Sequence, residues 1–351
     1  MKKSLLAAAV TGTLACAASA QSTVTLAGIV DAWMGQTTTR TGTAPAISNA
    51  VIESGGGQAS RWKLLGSEDL GGGLRATFLL DQGIAIDSGT VSTVSASNIG
   101  FNRGAYLGLS GGFGEIRGGR MLSAYDALRG STNHLYDSSG FASTGTVWGA
   151  STTAANGLAA VAGSDYLARG NNTLMYITPK VGAFSGSMSF SADEDQSTAS
   201  SSPRTIAGHV KYEAGPARIG YSYQSERYTT GNNKFHLIAG NYNFGSFKMV
   251  GAIQRQIDTR ITGDQKANEW ELGLDMPIGL ATLAFGYASS VAKNPAGATV
   301  LDAHGLSLMG TYDLSKRTRL YTAYRKINVD RADGSSASEA SRWGMGVTHT
   351  F

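Results

Sequence analysis

The last nine residues of the sequence are Trp343-Gly344-Met345-Gly346-Val347-Thr348-His349-Thr350-Phe351. Counting back from its end, Phe351, His349, Val347, Met345 and Trp343 occupy alternate positions. A side-chain period of two belongs to a strand whose two faces meet different surroundings. The same alternation recurs upstream. Ile219, Tyr221 and Tyr223 share a face opposite Arg218, Gly220, Ser222 and Gln224, and Phe247, Met249 and Ile253 oppose Lys248 and Gln254. Leu320, Thr322 and Tyr324 oppose Arg317, Arg319, Tyr321 and Arg325. Alternation alone does not choose the solvent, because a water-soluble sandwich also alternates.

The spacing of the connections chooses. Short, turn-like joints fall at residues 67–73, 110–114, 178–182, 214–216, 244–246, 277–280 and 313–316. Longer polar stretches lie near 36–59, 84–99, 121–168, 193–203, 229–233, 258–266, 290–300 and 329–340. Eight long connections interleaved with seven short ones predict sixteen strands, with both ends of the chain on the short-turn side. That is the layout of a transmembrane antiparallel β-barrel. The 47 Gly, 14 Tyr and 6 Pro suit many strands joined by turns and suit helices poorly. The mean hydropathy is a mild −0.10, as expected when lipid-facing and lumen-facing side chains alternate. No stretch beyond residue 20 approaches the roughly 18–20 continuous apolar residues of a membrane helix. No Pro-rich linker or composition step marks a domain boundary, so residues 21–351 read as one barrel.

Residues 1–20 read as a cleaved export signal: Lys2 and Lys3, an apolar run from Leu5 to Val10, and the small-residue site Ala18-Ser19-Ala20. The sole cysteine, Cys16, lies inside that segment, so the expected mature chain has no disulfide, thiolate nucleophile or cysteine metal site. The full chain carries 29 Lys and Arg against 25 Asp and Glu; losing Lys2 and Lys3 leaves 27 against 25. Such a balance gives no global nucleic-acid footprint, and electrostatic function must come from where the charges sit. His134, His209, His236, His304 and His349 show no zinc-type spacing, and the glycine runs, such as Gly55-Gly56-Gly57, lack the Lys-Ser/Thr of a phosphate loop and read as turns. No catalytic constellation, cofactor site or metal site is expected. The acidic run Asp193-Glu194-Asp195 reads as solvated external loop.

Several segments resemble the general trimeric porins of Gram-negative bacteria, in particular the β-proteobacterial branch with the neisserial and Burkholderia-type porins. They are Val24-Thr25-Leu26-Ala27-Gly28-Ile29-Val30-Asp31, Ser60-Arg61-Trp62, the stretch Gly66 to Leu74, Phe101-Asn102-Arg103, the stretch Gly108 to Gly114, Tyr312 to Thr318, and the terminal Gly346 to Phe351. The resemblance implies a sixteen-stranded, homotrimeric barrel in the outer membrane, among its lipid and lipopolysaccharide, passing small hydrophilic solutes. It also implies a third external loop folded inward; the longest polar stretch, 121–168, is independently the third. The terminal Phe351 resembles the signal by which the barrel-assembly machinery recognises its clients.

In porins of this kind an arginine cluster on the wall faces acids on the inward loop. Matched motif by motif, the wall residues are Arg61, Arg120 and Arg169, with Lys63 an added positive charge where the family has a small residue. Arg103 has the parity of Ala105, Leu107 and Leu109, so a regular strand would aim it at lipid unless a bulge intervenes. Arg120 shares the parity of Ile116 but stands at the exit into the long loop. Arg317, Arg319, Tyr321 and Arg325 are expected to line the lumen. The opposing acid is thin: Asp126, Asp137 and Asp165 on the loop, against Arg129 and His134. The expectation is a net positive lumen that prefers anions. A channel specific for small anionic solutes and a surface adhesin-type barrel are the alternatives.

Overall fold

A computed structural model describes residues 22–91, 100–132, 140–142, 147–148, 166–192, 203–229, 231–260 and 263–351. The expected export signal, the loop residues His134, Asp137 and Asp165, and the run Asp193-Glu194-Asp195 lie outside the described residues. The strands are β1 (Thr23–Thr41), β2 (Ile47–Ser54), β3 (Arg61–Gly71), β4 (Leu74–Ala85), β5 (Thr90–Val91), β6 (Gly104–Gly111), β7 (Gly114–Leu122), β8 (Arg169–Ile177) and β9 (Phe184–Ser191). They continue as β10 (Arg204–Ala214), β11 (Ala217–Tyr228), β12 (Gly231–Asn243), β13 (Lys248–Asp258), β14 (Gln265–Ile278), β15 (Ala281–Lys293), β16 (Thr299–Asp313), β17 (Thr318–Arg331) and β18 (Ser336–Thr350). A helix, α1 (Ala124–Thr132), follows β7.

Each strand pairs antiparallel with its neighbour in the wall, and β1 pairs with β18 from Ile29↔Thr350 to Thr41↔Ser338, closing the sheet. The result is the closed sixteen-strand barrel that the connection count predicts. Two of the strands do not add staves. β2 pairs with the upper half of β1 and β3 with its lower half, so together they form one wall strand interrupted at residues 55–60. β5 is a two-residue pairing at the end of β4.

The short joints lie where the turn residues put them, two to six residues long. The opposite end differs from expectation. Five connections there (42–46, 229–230, 259–264, 294–298 and 332–335) are equally short, because polar side chains stay in the ladder above the apolar zone. Thr37 to Thr41, for instance, still pair with Arg342 to Ser338. Polarity sets what a strand faces, not whether its backbone is paired.

The two parities meet different surroundings. Leu107, Leu174, Ile219, Ile253, Leu308 and Met345 point outward and stay exposed, whereas Ser222, Gln224, Gln254, Ser307 and Tyr321, on the other parity, are buried. An apolar outer belt around a polar interior is the inverse of a soluble core and suits hydrocarbon outside and water inside. Below the belt, Phe184 contacts Tyr212 at 5.3 Å between ring centroids and Phe244 contacts Tyr242 at 4.6 Å, an aromatic girdle at the short-turn end. Leu107 is 66% exposed. Leu107→Arg should therefore lower the unfolding free energy in lipid vesicles by about 2–4 kcal/mol, measured by urea titration; unchanged stability would mean that this face meets water.

Candidate lumen constriction

The long segment between β7 and β8 is fastened to the inner wall. Ser123 caps α1, its Oγ accepting a hydrogen bond from the Asp126 N–H at 3.2 Å. The helix then buries Tyr125 and Leu128 completely, against Phe235, Leu237 and Ala239 of β12. All three wall residues have the inward parity of β12. His209 of β10 and Arg218 of β11 donate to the carbonyls of Ala124 (2.6 Å) and Ser131 (2.7 Å). Further along, Arg325 and Arg342 both donate to the Gly140 carbonyl, at 2.8 and 3.2 Å, and Phe141 lies edge-on to Trp33 at 4.9 Å. The Trp148 indole donates to the Trp270 carbonyl (3.2 Å), and the Leu167 N–H donates to Glu226 (2.6 Å). These attachments reach from β10 round to β18, so the segment crosses the interior.

Beneath α1 a cavity of about 470 Å³ remains open along the wall from β3 to β10. Arg61, Lys63, Arg103, Arg117, Arg169 and Lys211 line it, none of them fully buried. Among the described residues that line it, Asp81 is the one carboxylate. Asp81 lies 3.8 Å from the Arg103 guanidinium, and Glu115 holds Arg117 through two 2.8 Å hydrogen bonds. The cavity wall is therefore net positive.

A chain that closes sixteen strands round a charged interior and folds a segment into it can be compared with known proteins. The family model for Gram-negative porins matches residues 5–349. The chain belongs to the Gram-negative porin family. It is 35% identical over 336 residues to outer membrane porin protein 32 of Delftia acidovorans, covering 92% of this chain and 88% of that protein. It is 29% identical to an outer membrane porin protein of Bordetella pertussis, over 100% of both. The solved structure of an anion-selective porin from Comamonas acidovorans matches with a TM-score of 0.77 at 30% identity, covering 94% of this chain and 100% of that one.

The expected site residues of this porin divide. Arg61, Lys63, Arg103 and Arg169 come together at the cavity; Arg169 Nε donates to the Arg103 carbonyl at 3.1 Å. Arg103 escapes its lipid-facing parity because β6 begins one residue later, at Gly104. Arg120 sits on a bulge: the register shifts between Gly119 and Met121, and Gly119 takes φ +141°, a conformation that favours glycine. Its guanidinium donates to the Asn102 carbonyl (2.8 Å) and Asn171 (2.6 Å), at the cavity's upper rim and not among its lining residues. Asp126 does not face the arginines. It accepts from Tyr166 at 2.5 Å, and Tyr166 in turn accepts from Arg129 at 3.2 Å, a chain internal to the inward segment. Tyr321 and Arg325 line the interior wall, Arg319 pairs with Asp313 near the short-turn end, and Arg317 is exposed in the connection before β17. Arg117 was legible but missing from the expected set: it opposes the lipid-facing Ile116.

The glycine run that reads as a turn is instead an inward bulge, held by a carboxylate. Asp31 is fully buried and accepts from the N–H groups of Gly57 (3.1 Å) and Gln58 (3.0 Å), from Tyr321 (2.8 Å), and from Thr348. A Cβ on Gly57 would stand 2.7 Å from the Asp31 carboxylate, so the approach requires glycine. The Ser60 hydroxyl accepts from the Asp31 N–H (2.9 Å) and donates to its carbonyl (3.1 Å), and Arg61 Nη1 donates back to Ala59 (3.2 Å). Asp31 thus fixes the backbone from which Arg61 enters the cavity. Asp31→Asn replaces one acceptor by a donor among four donors. It should cost about 1–3 kcal/mol, read as a lower urea midpoint, with the single-channel current becoming noisier; an unchanged midpoint would remove Asp31 from this role.

Proposed function

We propose that this porin is a homotrimeric diffusion pore whose constriction is formed by Arg61, Lys63, Arg103, Arg117 and Arg169 and prefers anions. The observation that carries the reading is the cavity wall itself: six cationic side chains reach the open space and one carboxylate joins them. The acids of the far wall do not answer this charge, since Glu226, Glu269 and Glu271 are at most 3% exposed beneath the inward segment. A pore selects by its radius and by the charges that line it. The overall balance of the chain therefore says little about what passes.

The passage needs no cofactor and no chemical step. The end of the barrel bearing the inward segment faces the cell exterior, and the outer leaflet there supplies lipopolysaccharide. An apolar outer surface on β1, β2 and β16–β18, including Met34, Ile52, Leu320 and Met345, supports contact between copies in the trimer. Phe351 supports the insertion signal: its backbone pairs with Gly28 in both directions, at 3.0 and 3.1 Å, and its ring lies on the outer face.

The test is the reversal potential in a planar bilayer under a tenfold potassium chloride gradient. We expect an anion-directed potential that shrinks as salt rises, because the Debye length of about 8 Å at physiological salt is comparable to a pore radius. Arg61→Ser, Arg103→Ser and Arg169→Ser together should move it toward zero. A cation-directed potential at low salt would discard the charge reading and keep the pore.

A further inference from the structure

The inside of a water-filled barrel is polar, and most apolar side chains that break this rule here are accounted for by the inward segment. Trp33, Phe235 and Leu237 are at most 2% exposed and pack with Tyr125, Leu128 or Phe141 of that segment. Leu79 of β4 and Tyr106 of β6 differ. Both have inward parity, both are only half-buried, and both line the open cavity. Met175 of β8 lines it beside them and is itself buried. The helix does not cover these side chains, because α1 turns Ala127, a single methyl group, toward the same space and keeps Tyr125 and Leu128 for β12.

The ladder sets this apolar shelf directly beneath the cations. Leu79 is opposite Tyr106. One inward position higher, Lys63 is opposite Asp81, and Asp81 is opposite Gly104, beside Arg103. Arg61 stands above Lys63, and Arg169 joins the same ledge through its bond to the Arg103 carbonyl. Successive inward positions are two residues apart, about 6.8 Å along a strand. One inward position lower, Arg117 is opposite Met175, is held by Glu115, and lies 4.7 Å from the centre of the Tyr106 ring. The charge above the shelf is open to the cavity, whereas the charge below it is already engaged.

A small inorganic anion uses the ledge alone and leaves the shelf wet. An anion with an apolar body as long as this spacing uses both. A tenfold gain in affinity, about 1.4 kcal/mol, needs only about 55 Å² of apolar surface withdrawn from water. A second negative charge at the far end of such a body would land on Leu79 and Tyr106, with Glu115 rather than a free cation beyond them. The arrangement therefore favours one charge and one ring.

We propose that the cavity is a binding site for organic monoanions carrying a ring-sized apolar body, with the anionic head on Arg61, Lys63, Arg103 and Arg169 and the body on Leu79 and Tyr106. This rests on the reading of the cavity as the cationic constriction. The test records chloride current through single channels of the refolded full-length barrel while sodium benzoate, cyclohexanecarboxylate or acetate, or neutral benzamide, is added. Benzoate and cyclohexanecarboxylate should each halve the current at a concentration roughly tenfold or more below that of acetate, and benzamide should not block. Leu79→Thr with Tyr106→Thr should bring the benzoate and acetate values together. Equal block by benzoate and acetate in the unaltered barrel, block by benzamide as strong as by benzoate, or a benzoate-to-acetate ratio preserved in the variant would each overturn the proposal. Should the paired variant not fold, Leu79→Thr alone decides, and a preserved ratio rejects the shelf. A potassium chloride reversal potential on the same membranes separates the two readings. A cation-directed potential removes the constriction and this site with it, whereas an anion-directed potential with equal block by benzoate and acetate rejects the shelf alone.

Discussion

In hydrocarbon an unpaired backbone amide has no water to turn to, and the pairing of β1 with β18 removes the last open edge of the sheet. Everything else depends on that closure. Once each strand has two neighbours, its side chains can point only outward or inward, and parity becomes environment. Leu107 and Ile253 can then remain exposed without penalty, because what they meet is lipid. Gly28 and Phe351 complete the seam at the short-turn end with two backbone hydrogen bonds.

Closure also creates the problem that the interior solves. A sixteen-strand barrel is too wide for its own wall residues to fill. The described residues of the segment between β7 and β8 fill part of it, burying Tyr125, Leu128, Phe141 and Trp148 against inward-facing wall positions. In doing so they cover the acids on β11 and β14 and leave the cations on β3–β10 open. Among the described residues the cavity wall thereby carries a net positive charge, although the chain as a whole is nearly neutral. The glycine bulge held by Asp31 works from the opposite wall, and Gly140 reaches it directly, its N–H donating to the Gly55 carbonyl at 3.0 Å.

Strand number, parity and the short turns were legible in the sequence, since each follows from local chemistry: period-two alternation, and Gly or Pro at the joints. The upper strand ends were not, because Thr37 to Thr41 look like loop while their backbones stay paired. Of the residues at the cavity, Arg61 and Arg169 are expected from motif and Lys63 from its parity with Arg61, and Arg117 was equally open to a parity argument. Arg103 and Arg120 needed backbone irregularities that no side-chain pattern announces. Asp126 was misplaced for a physical reason: an acid on a loop reads as free, whereas the cap at Ser123 makes it part of a helix start that turns toward Tyr166. Gly55-Gly56-Gly57 reads as a turn locally, and its role as a bulge depends on Asp31, Tyr321 and Thr348, which are distant in sequence.

If burial rather than composition sets the charge that the passage presents, Lys63 is open to it and Glu271, 3% exposed, is not. A chain expressed without residues 1–20 has no cysteine, so single cysteines at 63 and 271 can be probed with charged thiol reagents on the refolded barrel. Position 63 should react, faster with an anionic than with a cationic reagent, and position 271 should react only after unfolding. Equal rates at the two positions, or faster cationic modification at 63, would show that burial does not set this charge.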